Sequence, residues 1–175
     1  MLVVKKSEEV FSGVLFDVKR VVLEDDGQEI LREIVVHPGA VAIVPLFDGG
    51  DKVLLIEQFR IAANRELYEI PAGTLEDESP ESCAARELEE ETGYRARTLR
   101  KVAQFYLAPG YSTELLHVFV AEGLEASKPS PEADEKIKTH LVQFDDAVEM
   151  IRKGEIVDAK TIASLLLVER FYGRR

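Results

Sequence analysis

Scarcities set the first bounds on this chain. It has one cysteine, Cys83, among 175 residues, so no internal disulfide can form, and a reducing, cytoplasmic setting is expected. It lacks any run of 18 apolar residues and any charged-then-apolar leader, so neither a membrane span nor secretion is expected. Positive charge is short as well: 22 Lys and Arg stand against 33 Asp and Glu, a net charge of −11. Such a surface repels nucleic acid and anionic membranes. A polyanionic substrate would need cations between itself and the protein. No internal repeat or low-complexity tract occurs, and the length suits one well-cored domain with a small appended piece.

What the chain has in quantity is carboxylate, concentrated between Gly73 and Tyr94. Ser79 is a good N-cap, Pro80 suits the first helical position and Gly93 the left-handed residue past the end, which predicts a helix over 80–92. At about 100° per residue, Glu87, Glu90 and Glu91 fall within an arc of roughly 100°, whereas Glu89 points about 160° away from Glu91. Like charges at this spacing repel unless a cation lies over them. Hard oxygen donors without a His or Cys constellation suit Mg²⁺ or Mn²⁺. Arg86 flanks the same face and is placed to hold Glu90. Cys83, beside Ala84, reads as a small apolar filler. A solvated acidic face is the usual meaning of a Glu-rich helix; here the spacing argues otherwise.

The run Glu78-x7-Arg86-Glu87-Leu88-x-Glu90-Glu91-x-Gly93 closely resembles the box of the Nudix hydrolases. It departs from that pattern in two places: four residues separate Gly73 from Glu78 where the pattern has five, and Tyr94 fills the last aliphatic position. The shortening alters the loop ahead of the helix and leaves the helix in register. The resemblance implies an α+β fold of the Nudix type, an α/β/α sandwich around a mixed β-sheet. It also implies hydrolysis of a nucleoside diphosphate joined to another group, with Mg²⁺ as cofactor and Mn²⁺ as substitute. Glu87, Glu91 and the carbonyl of Ala72 would be metal ligands, and Glu90 would share or support them, with Arg86. Bound cations would neutralise the pyrophosphate and activate water.

A second signature, Phe105-Tyr-Leu-Ala-Pro-Gly-Tyr-Ser-Thr-Glu114, puts Pro109 sixteen residues after Gly93. It is similar to the ADP-ribose pyrophosphatase subfamily, although Pro-Gly alone would be read as a type II turn. Further stretches resembling that subfamily are Arg32 to Val41, Glu57-Gln-Phe-Arg-Ile-Ala62, Glu69-Ile-Pro-Ala-Gly73 and Asp158-Ala-Lys-Thr161. The implied substrate is ADP-ribose, cut to AMP and ribose 5-phosphate. GDP-mannose and ADP-glucose are the alternatives, and a non-catalytic nucleotide sensor is the alternative of another class.

The resemblance brings Arg60 near the diphosphate or terminal ribose, against a surface salt bridge as the plain reading. Arg32 and Glu33 are expected either at the adenosine of a partner subunit's substrate or as a strand-surface pair. Pro109 and Glu114 join the substrate-binding set. Glu69 either orients the metal loop or pairs with Arg86, and Tyr68 and Tyr111 either stack on adenine or pack in the core. The general base is assigned to Glu135, with Glu132 as runner-up, in a loop that closes over substrate.

Apolar runs at 13–23 and 29–37 flank Asp25-Asp-Gly-Gln28 and predict a hairpin. Residues 1–38 are therefore read as an N-terminal β segment, too small to stand alone, that packs or swaps across a homodimer in the resembling subfamily. Residues 39–175 are read as the hydrolase domain. It holds a second hairpin (40–46, 52–59), strands near 66–70, 100–107, 115–121 and 137–144, and helices at 80–92, 145–153 and 159–172.

Overall fold

The structure, a computed structural model, describes residues 1–128 and 136–172. The chain divides into two units, Met1–Gly39 with Phe105–Leu116, and Ala40–Gln104 with His117–Arg175. In the first, β1 (Val3–Ser12), β2 (Asp17–Asp25) and β3 (Gln28–Val36) form an antiparallel sheet in that order. The two-residue turn between β2 and β3 puts Asp26 at φ 48° and Gly27 at φ 82°. Both are the left-handed values that a tight hairpin demands and that Asp-Gly supplies at low strain. β1 had no counterpart in the sequence expectations. Its Lys5, Lys6, Glu8 and Glu9 interrupt any apolar alternation, and almost the whole strand is exposed.

The second unit is built on a seven-stranded sheet. It comprises β4 (Ala40–Phe47), β5 (Lys52–Arg60), β6 (Arg65–Glu69), β7 (Ala72–Thr74), β8 (Tyr94–Tyr106), β9 (Leu115–Ala126) and β10 (Lys138–Gln143). The main order is β10-β5-β4-β9-β8, with β6 on β5 and β7 on β4. Both β8 and β9 begin or end within the first unit's segment. β4 is buried from Ala40 through Leu46, so both of its faces are covered. On one face Val41 and Ile43 join Phe119 and Ala121 of β9 and Cys83, Ala84 and Leu88 of α1 (Pro80–Thr92) in a single cluster. The opposing layer comes from α2 (Phe144–Lys153) and α3 (Ala159–Leu167), which pack on β4, β5 and β10. The result is the α/β/α sandwich with a mixed sheet. The predicted last helix stops as an α-helix at Leu167 and finishes as a π-turn over Val168–Tyr172.

A fork in this sheet positions the site. β4 pairs with β5 at Leu46↔Val53 and Phe47↔Lys52, after which the two strands part. β6 takes the freed edge of β5, from Ile56↔Glu69 to Arg60↔Arg65, and β7 lines β4 from Ala40↔Thr74 to Ala42↔Ala72. Ile70 and Pro71, which join β6 to β7, therefore sit in the fork. Three residues make β7 too short to read from sequence.

Candidate active site

α1 starts and stops where its end residues dictate. The Ser79 hydroxyl accepts from Ser82 N at 3.1 Å, Pro80 occupies the first turn, and Gly93 closes the helix at φ 73° with its N–H on Glu89 O at 2.8 Å. Such an N-cap contributes about 1 kcal/mol. The inner face carries Cys83, Ala84 and Leu88 into the core, which turns the neighbouring stripe of carboxylates along the β7 strand.

Two contacts fix that stripe. Ala72 N donates to Glu91 Oε2 at 2.9 Å, and Glu91 is buried. Gly73 lies so close to Glu87 that a Cβ built on it would fall 2.0 Å from the Glu87 carboxyl carbon. No residue but glycine admits that approach. Ile43 N donates to Pro71 O at 2.8 Å, which places the hydrogen-bonded pairs of the β4–β7 ladder at Ile43 and Val41. The intervening pair, Ala42↔Ala72, is then a non-bonded one. Both main-chain groups of Ala72 consequently turn away from β4. Its N–H meets Glu91, and its carbonyl faces the same edge.

Arg86 anchors the rest. Its Nε and Nη2 donate to Glu78 Oε1 at 3.1 and 2.8 Å, while Nη1 lies 2.8 Å from Glu87 Oε1 and 2.8 Å from Glu90 Oε2. Burial lowers the guanidinium pKa, but the hydrogen bonds to Glu78 and Glu90 outweigh it, and the group stays charged well above the usual range. One cation thus serves three carboxylates, with Glu91 close by as a fourth acid. Glu89 points elsewhere, to Ser127 Oγ at 2.6 Å and Arg95 Nε at 2.7 Å, as its helical angle requires. Burial, and then Glu87, push the Cys83 thiol up to about 12, so it remains protonated; its Sγ donates to Thr74 O at 3.4 Å. That is the filler role.

The donor set fits a hard divalent cation: carboxylates of Glu87, Glu90 and Glu91, the outward carbonyl of Ala72, and a glycine that makes room for Glu87. Among the described residues no three His, Cys, Asp or Glu side chains already converge as ligands. Glu87 and Glu90 are turned to Arg86, and Glu91 to the Ala72 amide.

Beside this edge lies a buried ionic cluster. Arg60 donates from Nε and Nη2 to Glu69 at 2.8 and 2.7 Å; Lys160 Nζ also meets Glu69, and it lies 3.0 Å from Asp158 Oδ2. Glu69 is 1% exposed. Burial raises its pKa, but the Arg60 and Lys160 partners more than reverse this and hold the carboxyl below its ordinary value. The alternative pairing of Glu69 with Arg86 is therefore incorrect: Arg86 is saturated by Glu78, Glu87 and Glu90, and the β6 end directs Glu69 to Arg60. Nor is Arg60 in a plain surface salt bridge, since its partner is buried. Lys160 was the residue that the sequence reading left out. Its signal was present in Asp158-Ala-Lys-Thr161, where Asp158 caps α3 by accepting from Thr161 N at 3.0 Å.

Of the remaining predicted residues, Arg32, Glu33, Pro109, Tyr111 and Glu114 belong to the first unit. Arg32 and Glu33 do not pair with each other: neighbours in a strand face opposite ways, so Arg32 Nη1 turns to Leu31 O at 2.8 Å and Glu33 meets Arg20 Nη2 at 3.3 Å. The Pro109 loop docks on β3 through Val35 N to Tyr111 O at 2.7 Å and Thr113 N to Val35 O at 3.0 Å. It is not a type II turn, because Gly110 is absent from the positive-φ glycines and both Tyr111 N and Ser112 N return to Ala108 O. Glu114 N donates to Ser112 Oγ at 3.1 Å. Tyr111 is exposed, and Tyr68 packs edge-on against His140 at 5.3 Å. Glu135 and Glu132 lie outside the described residues.

Comparison with known proteins agrees with this geometry. An ADP-ribose pyrophosphatase of Bacillus subtilis (strain 168) is 44% identical over 161 residues, which cover 88% of this chain and 85% of that protein. A methanol dehydrogenase activator of Bacillus methanolicus is 38% identical, covering 91% and 88%. A GDP-mannose pyrophosphatase of Cronobacter sakazakii (strain ATCC BAA-894) is 37% identical, covering 89% and 85%. A crystal structure of an ADP compounds hydrolase superposes with a TM-score of 0.88 at 25% identity, over 99% of this chain and 97% of that one. The NUDIX domain model matches residues 36–165, a span that holds the acidic helix, its glycine cradle and the Arg60 cluster, and the chain belongs to the Nudix family.

Proposed function

We propose that this protein hydrolyses the diphosphate of ADP-ribose to AMP and ribose 5-phosphate, with Mg²⁺ as cofactor and Mn²⁺ able to replace it. The observation that carries the reading is the seating of Glu87 and Glu91 against Ala72 and Gly73, which gathers oxygen donors on one edge of the helix. Glu87, Glu91 and the Ala72 carbonyl would hold the metal, with Glu90 shared between metal and Arg86. Divalent cations there would neutralise the diphosphate and acidify the attacking water. Arg86 bonds the Glu78, Glu87 and Glu90 carboxylates and so holds them spaced. Arg60, 40% exposed and fixed through two of its nitrogens by Glu69, offers Nη1 to a phosphate oxygen. Glu135 is assigned as general base, and Arg32, Glu33, Pro109 and Glu114 as nucleotide contacts. We assign the enzyme to the cytoplasm as a homodimer, with residues 1–38 packing or swapping across it.

GDP-mannose and ADP-glucose are the competing substrates, the former because a relative at 37% identity carries the name GDP-mannose pyrophosphatase. A nucleotide sensor would have no need of the full set Arg86, Glu87, Glu90 and Glu91 in bonded register. The test is incubation with Mg²⁺ and, separately, ADP-ribose, ADP-glucose, GDP-mannose, diadenosine polyphosphates and dinucleotides. Preferential release of AMP from ADP-ribose is expected. Preference for another diphosphate would keep the metal edge and change the substrate; cleavage of none would favour the sensor. In the Glu135→Gln variant kcat should fall by about 10²–10⁴ with little change in KM, and an effect confined to KM would move the base elsewhere.

A further inference from the structure

The segment entering the metal edge is pinned at every residue from Glu69 to Ala72, and two of the pins come from the start of α3. The Glu69 side chain is held by Lys160 and Arg60. Ile70 N donates to Thr161 Oγ1 at 3.0 Å, in the buried interior. Pro71 O accepts from Ile43, and Ala72 N donates to Glu91. Pro71 has no N–H, so the Ile70 amide is the last main-chain donor available to fix this stretch before Ala72 itself.

The direction of the Thr161 bonds is settled by its neighbour. Its hydroxyl has one proton, which goes to Asp158 Oδ2 at 2.6 Å; the lone pairs are then the only groups left to receive Ile70 N–H. Asp158 also accepts from Thr161 N at 3.0 Å and lies 3.0 Å from Lys160 Nζ, so the carboxylate that caps the helix is itself held in place. Thr161 and Ile70 are both 0% exposed, which keeps water from substituting for either bond.

We propose that Thr161 is a positioning residue for the metal edge: through the Ile70 amide it locks the Ile70–Pro71–Ala72 backbone so that the Ala72 carbonyl faces the Glu87 and Glu91 carboxylates. This rests on the metal assignment above and does not depend on which diphosphate is the substrate. Serine at 161 retains the hydroxyl and both bonds. Valine keeps the volume, leaves the Ile70 N–H without an acceptor, and frees the segment to drift.

The test is Mn²⁺ binding to the full chain without nucleotide, by isothermal titration calorimetry and by the loss of the free-ion signal in electron paramagnetic resonance. Thr161→Val is expected to weaken Mn²⁺ binding about 10-fold or more, the size of effect known for groups that orient metal ligands, and Thr161→Ser to stay within about twofold. Leu165→Ala, a cavity on the buried face of α3, should lower the melting temperature without changing Mn²⁺ affinity. Should Thr161→Val fail to fold, Asp158→Asn decides: it retains a cap oxygen, weakens the hold on the hydroxyl proton, and should weaken Mn²⁺ binding about threefold. Wild-type affinity in folded Thr161→Val, or in Asp158→Asn, would reduce Thr161 to a partner of the Asp158 helix cap. Wild-type protein that takes up no Mn²⁺ would overturn the proposal together with the metal assignment. Intact Mn²⁺ binding with no diphosphate cleaved would leave Thr161 in its role and remove only the enzymatic reading.

Discussion

Single atoms decide the chemistry of the acidic edge. Glu91 gives one oxygen to the Ala72 amide at 2.9 Å; a glutamine there keeps that acceptor and loses the charge. Glu91→Gln should therefore fold normally and lose about 3–4 kcal/mol of transition-state stabilisation, about 10²–10³ in kcat. Circular dichroism and steady-state kinetics would check this, and near-normal turnover would take Glu91 out of the metal site. Gly73 makes the converse argument, because here a single methyl is the perturbation. A Cβ at 2.0 Å from the Glu87 carboxyl cannot be accommodated unless the side chain leaves. The strand itself needs no left-handed torsion at this position, so Gly73→Ala is expected to preserve stability and weaken Mn²⁺ binding by about 10- to 100-fold. A calorimetric titration with wild-type affinity would show that Glu87 swings clear at no cost.

At the scale of elements, the helix ends were the most legible part of the sequence. Ser79, Pro80 and Gly93 bracket α1, and Gly154 closes α2 at φ 74°, because caps act on their own turn and carry the signal locally. The Asp-Gly hairpin was legible for the same reason. β1 and β7 were not: the first has no apolar alternation, and the second exists because β4 and β5 part and leave an edge to pair. The candidate site divides along the same line. The carboxylate stripe follows from helical periodicity alone, whereas the Arg60–Glu69–Lys160 cluster joins β5, β6 and α3, with Glu69 and Lys160 standing 91 residues apart in the chain, and no spacing rule reaches that far. This cluster ties pH to stability. The Glu69 pKa lies below its ordinary 4.5 in the folded protein, so its contribution is complete above that value and is lost as pH falls through the lower folded value. Glu69→Gln takes the buried carboxylate from Arg60 and Lys160. Arg60 is 40% exposed and Lys160 keeps Asp158, so the cost near neutrality should be about 1–3 kcal/mol, with the gap to wild type closing in acid. Urea unfolding between about pH 3 and pH 7 would show it; a gap independent of pH would mean that Glu69 is not the titrating group.

For the molecule as a whole, the net charge of −11 argues against nucleic-acid and anionic-membrane partners, and among the described residues no helix is long and apolar enough to cross a membrane. The question left at this scale is what covers the N-terminal sheet. Its unit contains strands and loops but no helix among the described residues, yet Val4, Val10, Phe11, Leu15, Phe16 and Leu31 stand exposed. A three-stranded sheet needs an apolar face packed on something to be stable, and apolar side chains left exposed on it, with Phe11 against Phe16, suit an association surface. A second copy of the chain is the economical partner, since one self-complementary patch buries both copies at once. Sedimentation velocity should then find a species of twice 19.6 kDa. Phe11→Glu, which sets a charge where Phe11 is 53% exposed and in ring contact with Phe16 at 6.2 Å, should shift it toward monomer at micromolar concentration. If Arg32 and Glu33 of one copy serve the nucleotide of the other, the same variant should raise KM for ADP-ribose more than it lowers kcat. A monomer with unchanged KM would separate association from catalysis, and a wild-type chain sedimenting at 19.6 kDa would remove the dimer.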